Sequence, residues 1–376
     1  MPGPLDGLRV LDLSRVLAGP WATQLLADMG ADVVKVERPD GGDDTRSWGP
    51  PFAADGQSAY FLSANRGKRS ITLDLASAAG QQAVRELVAV SDVLVENFKV
   101  DGLAQYGLDY ATLAELNPRL IYCSITGFGQ TGPDRHRPGY DFMIQGMGGL
   151  MSLTGEADGE PQKVGVAVTD LMTGMYAVSA ILAAALERER SGLGQHIDLA
   201  LFDVQLATLA NQAMNYLVGG EVPTRMGNAH PNIVPYQSFR TADGFVIVTV
   251  GNDGQFARYA AALGVPALAA DARFARNAER VRHRDALVPL LAERMVLRTT
   301  AEWVALLDAS GVPCGPVNSV AEAFAEPQAV ARGMVTEHAD GVGGVFRAVA
   351  CPMRFSRTAT GTDNSWPRLG DHTRPL

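Results

Sequence analysis

Leu8-Arg-Val-Leu-Asp-Leu-Ser-Arg-Val-Leu-Ala-Gly-Pro20 and, a helix-length later, Gly30-Ala-Asp-Val-Val-Lys-Val-Glu-Arg38 decide the fold. Residues 8–13 and 32–38 are apolar runs of strand length. The segment between them has helical spacing, with Pro20 opening it and Gly30 closing it. The unit then repeats. Residues 70–75, 92–98 and 119–126 read as strands, and 78–90 and 103–116 as helices. Strands spaced by helices of this length imply βαβ units and a parallel, doubly wound sheet. Ligands on such sheets sit at the carboxyl ends of strands. That directs attention to 14–20, 38–46, 97–101 and 127–141.

Further along, 170–190 reads as a long helix closed by Ser191-Gly192, 196–199 as a short strand and 202–218 as another helix. The character changes near Gly219. Residues 236–249 alternate like a β-hairpin around Asp243-Gly244, and helices continue to about Ser310. The expected organisation is an α/β large domain starting at 1–195, a linker at 196–225, and a smaller α+β domain at 226–320. Residues 321–376 then return to the large domain, with a strand pair at 345–355.

The 376 residues are lightly charged, at 19% against roughly 25% in a typical globular domain, yet apolar enough to exclude disorder. A net charge of −9 argues against nucleic-acid binding, which needs a Lys/Arg excess. Three scattered cysteines with no C-x-x-C make a disulfide framework or zinc site unexpected and a reducing cytoplasm the default. Residues 1–13 lack the basic-then-apolar pattern of a leader. The longest uncharged apolar run, 171–186, has 16 residues, short of the ~20 that span a bilayer. It is expected to be a buried core helix, and no membrane contact is expected.

Gly127-Phe-Gly-Gln-Thr-Gly132 matches G-x-G-x-x-G after a strand. A dinucleotide fingerprint also needs a helix beginning inside the motif. Here Pro133-Asp-Arg-His-Arg-Pro138 follows, so a ligand-facing loop is expected, without NAD or flavin. Cations gather at the strand ends: Arg38, Arg46, Arg66, Lys68, Arg69, Lys99, Arg135 and Arg137. They form either an anion site for phosphates or an ordinary solvated surface. Thr169-Asp170 starts the most apolar helix. Asp170 is either a first-turn carboxylate favoured by the helix dipole or, by the same physics, a partly dehydrated nucleophile toward an activated acyl group. No G-x-S-x-G, H-E-x-x-H or P-loop competes, and no metal site is expected. Tyr140-Asp141 is either a plain helix start or a phenol–carboxylate pair lining the Asp170 cleft. His230, in Gly227-Asn-Ala-His-Pro231, is either exposed or functional.

Taken together, these residues resemble the family III CoA-transferases. The likeness runs in order through Leu5-Asp-Gly-Leu-Arg-Val-Leu-Asp-Leu13, Val16-Leu-Ala-Gly-Pro20, Gly30-Ala-Asp-Val-Val-Lys-Val-Glu-Arg38 and Gly42-Asp-Asp-Thr-Arg46. It continues through Asn65-Arg-Gly-Lys-Arg-Ser70, Val95-Glu-Asn-Phe98, Gly127-Phe-Gly129 and Thr169-Asp-Leu-Met-Thr-Gly174. Gly311-Val-Pro-Cys-Gly-Pro-Val-Asn318 and Glu326-Pro-Gln328 complete it. Gly139-Tyr-Asp141, Gly227-Asn-Ala-His230 and Ile233-Val-Pro-Tyr-Gln237 resemble the branch acting on succinate and hydroxymethylglutarate.

The resemblance implies a CoA-transferase with coenzyme A, as acyl-CoA, and a carboxylic acid as substrates. Asp170 would carry acyl–aspartyl anhydride and aspartyl–CoA thioester intermediates, with Tyr140, Asp141 and His230 beside it. Oxyanion donors would come from the helix N-terminus at Asp170 and from 227–232, where Asn228-Ala-His-Pro-Asn232 replaces the glycine run of formyl-CoA transferases. CoA would be held by Val16, Arg38, Arg46, Arg66, Lys68, Asn97, Phe98, Lys99 and Arg137. Formyl-CoA transferases have Gln where Leu17 stands, so oxalate-type acids are disfavoured, and a CoA-binding Arg where Gln105 stands, for which Lys99 or Arg137 would substitute. An acyl-CoA racemase, with His at the Tyr140 position, and a catalytically silent acyl-CoA binder are the alternatives. Tyr140, with an ordinary pKa near ~10, disfavours the racemase. The family also implies two subunits interlocked as a homodimer. It further implies a terminal helix after residues 369–373, which this sequence is expected to lack.

Overall fold

Six short strands, β1 (Arg9–Asp12), β2 (Asp32–Glu37), β3 (Lys68–Thr72), β4 (Val93–Glu96), β5 (Ile121–Thr126) and β6 (His196–Ala200), form one sheet in the order β3-β2-β1-β4-β5-β6. Every pairing is parallel, with Val10 opposite both Val33 and Val93, and Val93 opposite Ile121. The structure is a computed structural model and describes residues 2–339, 342–361 and 366–373.

Strand alternation decides what lies on each face of the sheet. Val10, Val33, Val93, Val95, Ile121 and Cys123 face α1 (Ala18–Asp28) and α6 (Val168–Ser191). Leu11, Leu94 and Tyr122 face the other way, against α3 (Ala78–Ala89) and α4 (Tyr110–Leu116). Both faces are therefore covered, as an all-parallel sheet requires. The remaining α-helices of this unit are α2 (Ala59–Ala64), which the sequence pattern did not signal, α5 (Asp141–Met147), α7 (Leu201–Thr208), α8 (Ala210–Gly219) and the short α14 (Pro327–Ala331).

The expected elements are present with local differences. Residues 103–116 do not form one helix. Gly107 takes a left-handed φ of 62°, and Asp109 caps α4 afresh by accepting the Thr112 N–H. Residues 202–218 break between α7 and α8, where Ala210 has φ 48°. The expected strand pair at 345–355 is instead β10 (Val335–Ala339) against β11 (Val345–Val349). Helix α6 buries a stripe through Thr173, Ala177, Ile181 and Ala184, and leaves Met172, Met175 and Tyr176 exposed. It is thus a core helix on one face only. By length and composition it also passes as a membrane span.

The chain divides into two compact units, Met1–Leu150, Lys163–Glu221 and Pro327–Leu376 in the first, Met151–Gln162 and Val222–Glu326 in the second. The stretch 196–225, expected as a linker, packs with the first unit as far as Glu221. The reason is that β6 extends the sheet beside β5 and Leu201 and Val204 are buried. The second unit has an antiparallel sheet, β7 (Tyr236–Arg240), β8 (Phe245–Thr249) and β9 (Cys314–Pro316), with five α-helices among its described residues, α9 (Asp253–Ala262) to α13 (Val320–Ala325). Phe239, Val246, Phe256, Leu287 and Trp303 form its core. The hairpin is present, with a four-residue turn at 241–244, because Arg240 pairs with Phe245.

Candidate active site

The strand order reverses between β1 and β4, so the loops leaving these neighbours run apart and open a crevice at their carboxyl ends. A cleft of about 250 Å³ lies there, lined by Arg15–Ala18 from the β1 loop and Asn97–Val100 from the β4 loop. The 135–140 stretch and Asp170 complete it. The two strand loops are pinned to each other. The Arg15 N–H donates to Asn97 Oδ1 (2.9 Å), Asn97 Nδ2 donates to the Arg15 carbonyl (2.7 Å), and the Arg15 guanidinium lies 4.9 Å from the Phe98 ring centre.

Asp170 is the third residue of α6, in its first turn. Its half-buried carboxylate has no hydrogen-bond partner among the described residues. Burial, and then the charge of Asp141, push its pKa up to about 7. Asp141 itself does not open into the cleft as a free carboxylate. Its Oδ1 accepts the Thr169 N–H (2.8 Å) and the Asp170 N–H (3.3 Å), and its Oδ2 accepts from Gln145 Nε2 (2.7 Å). The carboxylate of α5 thus caps α6 from outside. Helix α6 closes onto α1 because Gly174 has no side chain: a Cβ there would meet the Ala18 carbonyl at 2.8 Å.

The floor of the cleft is strained. Val16, β-branched, has φ 70°, a conformation costing a non-glycine residue about 1–2 kcal/mol. Its N–H donates to both oxygens of Asp43 (3.3 Å each). Asp43 in turn pairs with Lys35 (2.9 Å) and accepts from the Thr45 N–H and hydroxyl. Lys35 also donates to the Ser14 carbonyl (2.7 Å). A second buried pair, Lys68 with Asp12 (3.0 Å), anchors the end of β1. Burial alone would raise Asp12, but Lys68 and Lys35 bring it down to about 2. Asp43 is likewise held low: burial would raise it, but Lys35 and the Thr45 donors together more than offset this.

Of the residues expected at the site, Val16, Asn97, Phe98, Lys99, Arg137, Tyr140 and Asp170 line this one cleft. Tyr140 is largely exposed, at 69%. Arg38 pairs with Asp44 (2.6 Å) and lines a neighbouring cavity with Val36, Leu73, Leu75, Phe98 and Tyr106. The strand-end cations, which admitted either an anion site or a solvated surface, divide: Lys99, Arg135 and Arg137 line the cleft, and Arg46, Arg66 and Lys68, expected to hold CoA, do not. Arg46 is held by Glu37 (2.7 Å) over the Phe61 ring, Arg66 by Asp28 (2.6 Å), and Lys68 by Asp12. Each neutralises a buried carboxylate and none lines the cleft. The expected oxyanion donors at the α6 N-terminus are also corrected, since the Thr169 and Asp170 N–H groups are taken by Asp141. His230 lies in the second unit, its Nδ1 accepting from the Asn232 N–H (3.0 Å) and its ring 5.1 Å from that of Tyr236. Burial and then Arg284 hold its pKa low.

Sequence reasoning missed Arg15, Lys35, Asp43, Tyr60 and Glu96 as site residues. A lysine in the apolar run Val33-Val-Lys-Val36, and a glutamate closing Val93-Leu-Val-Glu96, were the available signals. Tyr60 lies close enough to Asp170 to be affected. After burial, the charges of Asp170, Asp141 and Asp43 raise its pKa and keep its hydroxyl protonated.

Known proteins match this geometry along the whole chain. The sequence model of CoA-transferase family III matches residues 5–373. The chain is 54% identical to a succinate–glutarate CoA-transferase of Agrobacterium fabrum, over 98% of this chain and 94% of that protein. It is 46% identical to the succinyl-CoA:glutarate CoA-transferase of Mus musculus, over 99% and 85%. A CAIB/BAIF family protein from Brucella suis has a crystal structure similar to this one, with TM-score 0.87 at 55% identity, covering 99% and 98% of the two chains.

Proposed function

The chain belongs to CoA-transferase family III, and from that premise we propose that it moves CoA from succinyl-CoA to a five-carbon dicarboxylic acid such as glutarate, through covalent intermediates on Asp170. The observation that carries this reading is the Asp170 carboxylate. It lacks a hydrogen-bond partner among the described residues, is half-buried, and lines the switch-point cleft. The donor and acceptor follow the names of the relatives.

Asp170 attacks the thioester carbonyl, the C–S bond breaks, and CoA thiolate leaves a succinyl–aspartyl anhydride. The thiolate then attacks the aspartyl carbonyl, releasing succinate and leaving an aspartyl–CoA thioester. An acceptor carboxylate displaces CoA from Asp170, and the returning thiolate attacks the acceptor's acyl carbon and frees Asp170. Each covalent step divides one difficult exchange. Developing oxyanions need fixed donors. We assign these to the first N–H groups of α1, since Leu17 and Ala18 line the cleft and the α6 N–H groups are occupied. The cavity holding Arg38 between Leu73, Leu75 and Tyr106 suits the nucleotide end of CoA. Lys99, Arg15 and Arg137 are the cleft cations for pyrophosphate and the distal carboxylate.

The exposed stripe Met172, Met175, Tyr176 and the wholly unburied α8, with Leu217 and Val218, support a homodimer in which a second copy covers this face. Sedimentation as a stable monomer would overturn that part alone. Incubation with succinyl-CoA and hydroxylamine should place one hydroxamate on Asp170. Absence of the hydroxamate, with no CoA exchange into glutarate, would overturn the covalent reading.

A further inference from the structure

The transfer chemistry leaves one buried acid without a role. Glu96 ends β4 at the switch point, with no cation paired to it among the described residues. Its Oε2 accepts the Phe98 N–H (2.7 Å), and it stands directly opposite Ser124 in the β4–β5 register, whose hydroxyl favours its ionised form. The Ser124 hydroxyl lies 2.9 Å from His196 Nε2 on β6, and the His196 ring stacks on Tyr110. The Ser124 hydroxyl thus stands between an acid and an imidazole. When Glu96 is protonated, it donates to Ser124 and Ser124 donates to the imidazole. When Glu96 is ionised, Ser124 must turn to donate to it.

We infer that Glu96 is a positioning residue for the CoA-binding loop 97–100, and that its protonated form holds the loop in the binding conformation. Asn97 and Phe98, the next two residues, fix the Arg15 main chain and lie under the Arg15 guanidinium. An ionised carboxylate shut away from water with only a hydroxyl and one N–H is the costly state. Opening 97–100 is the route by which water reaches it. Ionisation also places a negative charge beneath a cleft meant for an anion. Burial pushes the Glu96 pKa up to about 7, Ser124 and the Phe98 N–H only partly offsetting it.

No group facing Glu96 supplies a compensating charge. On β1, Asp12 is committed to Lys68. On β5, burial and then the Glu96 charge raise Tyr122 and Cys123, keeping both neutral. On β6, burial lowers His196 despite Asp198, and before α4 Asp109 adds only further negative charge near Tyr122. In the loops, Arg15 lies over Phe98, and Lys99 lines the cleft.

The inference rests on the cleft being the CoA site. The test is the Kd of free CoA by calorimetry from pH 5.5 to 8.5, with kcat and KM alongside. In the wild type, Kd should be flat in acid and rise above pH 7 by up to about tenfold per pH unit. E96Q, which keeps an acceptor for Phe98 and a donor for Ser124, should remove that rise on a D170N background, where the other cleft acid that ionises near pH 7 is absent. S124A deletes a bond that favours the ionised form, so its midpoint should move to higher pH. A rise that persists in folded E96Q on the D170N background, or an unmoved midpoint in S124A on that background, overturns the proposal. No CoA binding by the wild type at any pH would instead overturn the cleft assignment.

Discussion

The two sides of the switch point treat buried carboxylates in opposite ways. At the ends of β1 and β2 each has a cation: Asp12 with Lys68, Asp43 with Lys35, Glu37 with Arg46, at 2.7–3.0 Å. Burial would raise all three, yet the neighbouring cations hold them below the usual range. At the end of β4 and the start of α6, Glu96 and Asp170 are enclosed without a cation, and burial pushes both to about 7. The first set stays charged at every working pH and so serves as scaffold. The second changes charge near neutrality, where a carboxylate can be both ionised and reactive.

The largest effect should come from removing the reactive member. D170N is expected to lower CoA transfer by about 10⁴-fold or more, by analogy with loss of other nucleophiles, measured with succinyl-CoA and glutarate. It should not destabilise the fold. In the wild type, the folded chain keeps a proton on Asp170 between about pH 4 and 7 that the unfolded chain has lost, so stability falls as pH rises through that window. D170N removes that slope and should be at least as stable as the wild type at pH 8. A large loss of stability in D170N would place Asp170 with the scaffold carboxylates and erase the contrast.

The paired side should fail in the opposite manner. D43A leaves Lys35 charged, fully buried and without its main partner, a change that costs about 3–5 kcal/mol, read from urea denaturation. Replacing both partners, D43L with K35M, should recover much of that loss, because an apolar pair of similar volume is often neutral. If D43A unfolds at the wild-type urea concentration, the pair is not scaffold.

Much of this contrast was not legible in the sequence, for a physical reason. Runs such as 8–13 and 32–38 announce strands because apolar spacing is local, and all six parallel strands lie at or within three residues of their expected places. Asp170 at the start of α6 was equally visible. Pairing is not local. Lys68 and Lys99 are both lysines at strand ends, and only the fold places an aspartate beside the first and open cleft beside the second. The same holds for Asp141, expected in the cleft with Tyr140. Its neighbour in space, the N-terminus of α6, lies 28 residues away in the chain.

Asp141 offers a finer probe of the unpaired side. Its charge is the second cause, after burial, of the raised Asp170 pKa. In the wild type, kcat/KM should rise with pH toward neutrality as Asp170 ionises, before the Glu96-dependent loss of CoA binding sets in above about pH 7. D141N keeps an oxygen for the Thr169 N–H but removes the charge. The rising limb should therefore move to lower pH, by less than about one unit because burial remains. A shift to higher pH would mean that the cap, not the charge, governs Asp170.

The smallest effect joins the two sides. Val16 lies on the cleft floor, yet the Asp43–Lys35 pair beneath it holds its N–H. V16G relieves a left-handed conformation but adds chain entropy to the unfolded state. The two terms nearly cancel, so stability should change by no more than about 1 kcal/mol in either direction. The informative quantity is the coupling to Asp43. If Asp43 enforces the strain at Val16, D43A should cost more in the V16G background than alone, because its loss lets Val16 relax and release strain that a glycine at φ 70° does not carry. Strict additivity in that double-mutant cycle would show that the buried pair supports the sheet and not the cleft floor, and would separate scaffold from site at the residue where they meet.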